Sequence, residues 1–142
     1  MEDSAGPRPW RPQPFTIAVL DSDETLADTL SDLLRTNGLA PSVFYDIDSL
    51  AQAQRKTAFD AYVLDYLADW QPESDALERL VGAIREAGDA PVFILGNQTA
   101  PESNEKLGRI LMQYKVRYLL KPLRASYLAR RIGEAIALRA GL

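Results

Sequence analysis

Ala61-Tyr62-Val63-Leu64-Asp65 is a run of four apolar residues closed by a carboxylate. A run this short, with no polar alternation, predicts a strand covered on both faces. Ile17-Ala18-Val19-Leu20 has the same form and ends at Asp21-Ser22. Val92-Phe93-Ile94-Leu95 ends at Gly96-Asn97, and Val116-Arg117-Tyr118-Leu119-Leu120 ends at Lys121-Pro122. Val43-Phe44-Tyr45 is a shorter fifth candidate.

Helical spacing fills the intervals. Asp23 is placed to cap a helix whose apolar face is Leu26, Leu30, Leu33 and Leu34, stopped by Asn37-Gly38. Asp46 or Asp48 opens a short helix carrying Leu50. Leu77, Leu80, Val81 and Ile84 form the next stripe, closed by Gly88. Leu107, Ile110, Leu111 and Tyr114 form another, and Leu128, Ile132 and Ile136 the last. Five strands alternating with five helices predict parallel βαβ units with helices on both faces of one sheet. Before them, residues 1–14 hold Pro7, Pro9, Pro12 and Pro14 and read as a Pro-rich solvated tail, in which Trp10 is the one side chain suited to docking. The domain spans residues 15–140, and no output domain is expected in the residues after it.

Composition removes several classes of function. At 142 residues, 46% hydrophobic and 25% charged, the chain has the make-up of one ordinary soluble domain. No apolar run approaches the ~20 residues that span a bilayer. The amino terminus lacks the apolar centre of a secretory signal, and a cytoplasmic location is expected. There is no cysteine, hence no disulfide, thiolate site or Cys nucleophile, and no histidine, hence no Ser-His-Asp triad or imidazole zinc site. A net charge of −4 argues against direct nucleic-acid binding by this domain.

In an open parallel sheet the functional crevice lies beyond the carboxyl ends of the strands. Asp21, Asp65 and Lys121 therefore converge on one rim from three strands. Carboxylates there suit a hard cation, a lysine suits a phosphoryl group, and a carboxylate can itself be the nucleophile. The plainer readings are a helix-capping acid and a structural Asp65–Lys121 ion pair. Tyr118 is equally readable as a half-buried strand aromatic, and Arg124, Arg130 and Arg131 as a solvated face.

Ile17-Ala18-Val19-Leu20-Asp21-Ser22-Asp23-Glu24, Ala61 to Asp65, Ala90-Pro91-Val92-Phe93-Ile94-Leu95-Gly96 and Tyr118-Leu119-Leu120-Lys121-Pro122 together resemble the receiver domain of two-component response regulators. The resemblance covers nearly the whole chain, and the Lys-Pro pair with an aromatic three residues earlier is its most specific part. It implies a flavodoxin-like (βα)5 three-layer sandwich around a five-stranded parallel sheet. It implies that Asp65 accepts phosphate from a histidine kinase and that Lys121 contacts the phosphoryl group. Gly96 and Tyr118 would then stand at the switch positions. Mg²⁺ would be held by Asp21, Ser22, Asp65 and the backbone carbonyl of Leu67. The partners implied are a histidine kinase or another signalling protein, and a second copy through the last helix-strand-helix face, with Tyr114, Arg117, Arg124 and Tyr127 as interface candidates. For a fragment of a longer regulator, a DNA-binding carboxyl-terminal output domain is the continuation the resemblance implies.

Three positions depart from the family pattern. Ser22 stands where the family has a second acid, which weakens the Mg²⁺ site. Gly96 stands where it has a Thr or Ser hydroxyl. The loop from Tyr66 to Ser74 lacks the usual glycine turn and carries Trp70. An atypical receiver, a signalling and interaction module with impaired or absent Mg²⁺-dependent phosphorylation, is therefore expected, rather than an enzyme. A phosphorylatable receiver is the alternative. A flavodoxin-like cofactor binder has least support, because no Gly-rich phosphate loop follows the first strand.

Overall fold

The computed structural model describes residues 14–69, 71 and 73–141; the expectations for the rest of the tail, Trp10 and Trp70 lie outside these residues. Strands β1 (Thr16–Leu20), β2 (Ala40–Phe44), β3 (Ala61–Asp65), β4 (Val92–Gly96) and β5 (Arg117–Leu120) alternate with helices α1 (Glu24–Thr36), α2 (Ile47–Lys56), α3 (Ala76–Ala87), α4 (Glu105–Tyr114) and α5 (Ala125–Ala140). The strands pair in parallel in the order β2-β1-β3-β4-β5.

Successive strand residues serve two cores. Ala18, Leu20, Tyr62, Leu64, Val92 and Ile94 pack on Leu50, Leu77, Ile84, Leu107 and Ile110, so α2, α3 and α4 cover that face. Ile17, Val19, Ala61, Val63, Phe93 and Leu95 pack on Leu34, Leu128, Ile132 and Ile136, so α1 and α5 cover the other. This is the three-layer sandwich. Strand order reverses beside β1, which puts the crevice at the carboxyl ends of β1 and β3.

Three details differ from the sequence expectation. The strand β2 begins at Ala40 and ends before Tyr45, whose hydroxyl donates to Asp28 at 2.7 Å. It is an edge strand, where Pro41 is tolerated. The strand β5 starts one residue late, at Arg117. The leucine stripe of α1 is buried only in part: Leu34 is buried with Ala27 and Ser31, Leu30 packs half-buried on the core, and Leu26 and Leu33 are 55% and 45% exposed. Small Ala27 and Ser31 contribute to the buried side, and Leu26, Leu30 and Leu33 instead line an open cleft of about 330 Å³ beside Leu123 and Leu128.

Candidate functional site

Asp65 is carried to the rim because β3 continues its pairing with β4 to the last residue, opposite Leu95. Its side chain is 5% exposed and accepts a hydrogen bond from Lys121 Nζ at 2.7 Å. Lys121 is aimed there by its own backbone, whose N–H donates to Gly96 O at 2.8 Å and extends the β4–β5 ladder by one residue. Asp21 ends β1 on the same rim. Burial pushes its carboxyl up from the ordinary aspartate value, and the Asp65 charge adds to that. The Asp23 N–H, which donates to Asp21 Oδ1 at 2.9 Å, and the charge of Lys121 oppose the rise.

The remaining residues expected around a cation are arranged differently. Ser22 is exposed. Asp23 caps α1 through the Leu26 N–H at 3.1 Å, so its carboxylate is spent on the helix. Leu67 lies in the 3-10 turn Tyr66–Asp69 directly after Asp65, with its side chain turned out and 49% exposed. Among the described residues no group of three acidic, histidine or cysteine side chains could hold a metal ion. Asp21 and Asp65 bring two carboxylates to this rim, and Asp65 is paired with an ammonium.

The missing side chain at Gly96 is matched by what fills its place. A Cβ there would lie 2.7 Å from Tyr118 Oη and 3.0 Å from its Cε1, so the phenol occupies the volume that any other residue would need. The hydroxyl accepts from the Gln98 N–H at 2.7 Å and donates to the Gln98 carbonyl at 2.9 Å. Tyr118 thus joins β5 to the segment between β4 and α4.

Sequence reasoning missed a second charged centre. Asp69, 7% exposed, accepts from the Leu77 N–H at 3.1 Å and from Lys106 Nζ at 3.1 Å. It therefore caps α3 from outside the helix, while Asp75 at the formal cap position makes no such bond. The ammonium of Lys106 also reaches the carbonyls of Asp69, Gln71 and Ser74, at 3.2, 3.3 and 3.4 Å. Burial alone would raise the Asp69 carboxyl; the Ser74 hydroxyl, the Leu77 N–H and Lys106 outweigh it and hold it below the usual value. Tyr66 adds a bond to Asn104 Oδ1 at 3.2 Å, and Asn104 caps α4. One signal was available: a lysine in the first turn of α4 opposes the helix dipole, so it needs a partner elsewhere.

The interface candidates each make their own contacts. Tyr114 turns onto α3, its hydroxyl 3.6 Å from where a Gly82 Cβ would sit. The Arg117 guanidinium lies 5.6 Å from the Phe93 ring. Arg124 is exposed just before α5. Tyr127 on α5 is flanked by Arg130 and Arg131 at 5.5 and 5.9 Å.

No protein-family model matches the chain, and no curated protein matches it. Solved structures do. The receiver domain of the Francisella response regulator 1452 is 21% identical, with a TM-score of 0.71 over 88% of this chain and 98% of that one. A CheY-like response regulator receiver domain protein from Methanospirillum hungatei is 15% identical, with a TM-score of 0.73 over 91% and 98%. A response regulator receiver domain protein from Clostridium thermocellum is 19% identical, with a TM-score of 0.70 over 88% and 96%. The chain has the flavodoxin-like fold of response-regulator receiver domains. Among the described residues no helix is long and apolar enough to cross a membrane.

Proposed function

We propose that the chain is an atypical receiver module of two-component signalling, acting in the cytoplasm through association rather than through Mg²⁺-dependent phosphoryl chemistry. One observation carries this reading: Asp65 is held by Lys121 at 2.7 Å, with Asp21 beside it and the Asp23 carboxylate bonded to the Leu26 N–H of α1. In this arrangement the lysine ammonium balances the buried charge of Asp65. The exposed hydroxyl of Ser22 adds no charge to hold Mg²⁺. Gly96 offers no hydroxyl to a phosphoryl oxygen. Partners are a histidine kinase or another signalling protein, and the output is transcription, through a fused or partner domain.

The second reading, a receiver phosphorylated on Asp65 by a histidine kinase, is favoured by that same Asp65–Lys121 geometry, since an ammonium beside the acceptor oxygen would meet the incoming phosphoryl group. Intact mass after incubation with acetyl phosphate and Mg²⁺ separates the two. The unmodified mass and no heat of Mg²⁺ binding by calorimetry are expected. A stoichiometric phosphoryl adduct that disappears in Asp65→Ala overturns the first reading in favour of the second.

A further inference from the structure

We propose that Tyr118 is a latch already closed in the unmodified chain, and that Gly96 is the residue that lets it close. The reading of the chain as an atypical receiver is deepened by this, because it names how such a module is set without an input at Asp65. A half-buried phenol at the edge of a sheet needs volume for its ring and partners for its hydroxyl. Gly96 supplies the volume: with any side chain there, a carbon would stand 2.7 Å from the hydroxyl oxygen, well inside contact distance. Gln98 supplies both partners through its own N–H and carbonyl, at 2.7 and 2.9 Å. The hydroxyl is thus fully used, and both bonds end on backbone, which cannot rotate away as a side chain can.

What the latch holds is itself anchored. Beyond Gln98 the chain enters α4, and α4 is tied at three levels. Near its start Lys106 reaches Asp69 and the loop behind Asp65. In its middle Arg109 pairs with Glu78 of α3 at 3.0 Å. At its end Arg85 of α3 donates to the Tyr114 carbonyl at 2.7 Å. A segment held by packing and by hydrogen bonds at both ends must break several of these contacts together in order to move. The face presented by α4 and β5 is therefore displayed constantly, and its regulation lies in partner availability.

The test is amide hydrogen exchange of the intact chain, read at Gln98. In the untreated protein this amide is expected to be protected. Tyr118→Phe removes one hydroxyl while leaving the ring, and about five- to tenfold faster exchange at Gln98 is expected, as for loss of one hydrogen bond. Gly96→Ser is expected to expel the ring and release the same amide. Unprotected Gln98 in the wild type, or equal exchange in Tyr118→Phe, overturns the latch. So does a phosphoryl adduct at Asp65 that changes Gln98 protection. An adduct that leaves Gln98 unchanged refutes only the impaired-phosphorylation reading, and the latch stands.

Discussion

Lys121 and Asp65 share one short hydrogen bond on a rim where a second carboxylate, Asp21, is close enough to feel both. Removing the ammonium leaves a carboxylate whose side chain is 5% exposed without its counter-charge. Lys121→Met is therefore expected to lower unfolding stability by about 2 kcal/mol, below the ~3–5 kcal/mol of a fully buried pair because the lysine is partly solvated. The double variant Asp65→Asn/Lys121→Met should recover most of that loss, and urea unfolding of the three variants measures it. If the double variant is as unstable as Lys121→Met, the loss comes from packing of the lysine stem. Asp21 has the opposite sign. Its carboxyl is raised by burial and by Asp65, so the stability it contributes belongs to the protonated form and is lost as pH rises through the raised value. Asp21→Asn is expected to stabilise the chain at neutral pH, since the amide oxygen still accepts the Asp23 N–H. The gain should vanish on acidification below about pH 4, where both states bind the proton; thermal unfolding across that range checks it.

The turn Tyr66–Asp69 and the helices α3 and α4 form a unit joined by the Asp69–Lys106 pair, with side chains 4% and 11% exposed. Replacing Lys106 by Met is expected to cost about 3 kcal/mol, because Asp69 and several carbonyls lose a buried donor together. The pH dependence has a defined sign. The Asp69 carboxyl is depressed, so its contribution is present above the ordinary aspartate value and lost as pH falls through the depressed one. Asp69→Asn should thus be clearly destabilised at neutral pH and converge on the wild type in strong acid, by urea unfolding at each pH. A gap that persists in acid assigns the effect to the α3 cap alone. This unit was not legible in the sequence. Its partners lie 37 residues apart, one in a polar loop and one among ordinary surface-type charges. The rim was legible, because strand ends must share an edge once the strands are parallel. The phenol over Gly96 was not, since a missing Cβ shows only as a departure until its neighbour is placed.

At the scale of the whole molecule, what made the fold legible was burial on both sheet faces. It forces continuous apolar runs of four or five residues, and these cannot be mistaken for amphipathic strands when helical stripes separate them. The stripe of α1 was legible only in part: Leu34 is buried and Leu30 packs on the core, while Ala27 and Ser31 share the buried side and Leu26 and Leu33 are exposed. Charge is distributed as unevenly as burial. Residues 115–142 carry seven of the sixteen Lys and Arg but one of the twenty Asp and Glu. Among the described residues, Arg117, Arg124 and Arg130 have no carboxylate in ion-pair range, and Arg131 has only Glu134, at 3.8 Å and exposed. A two-fold pairing through the last helix-strand-helix face brings the same patch of each copy together, so two strongly basic surfaces meet. Such repulsion between exposed charges falls off within ~30 Å at 0.01 M salt and within ~3 Å at 1 M. Self-association through this face is therefore expected to strengthen as salt rises, the reverse of an interface made by ion pairs. Sedimentation velocity at low and high ionic strength reads the sign directly. A dimer that weakens with salt must use another face, and a monomer at both extremes removes self-pairing and leaves this arginine-rich surface to a partner of opposite charge.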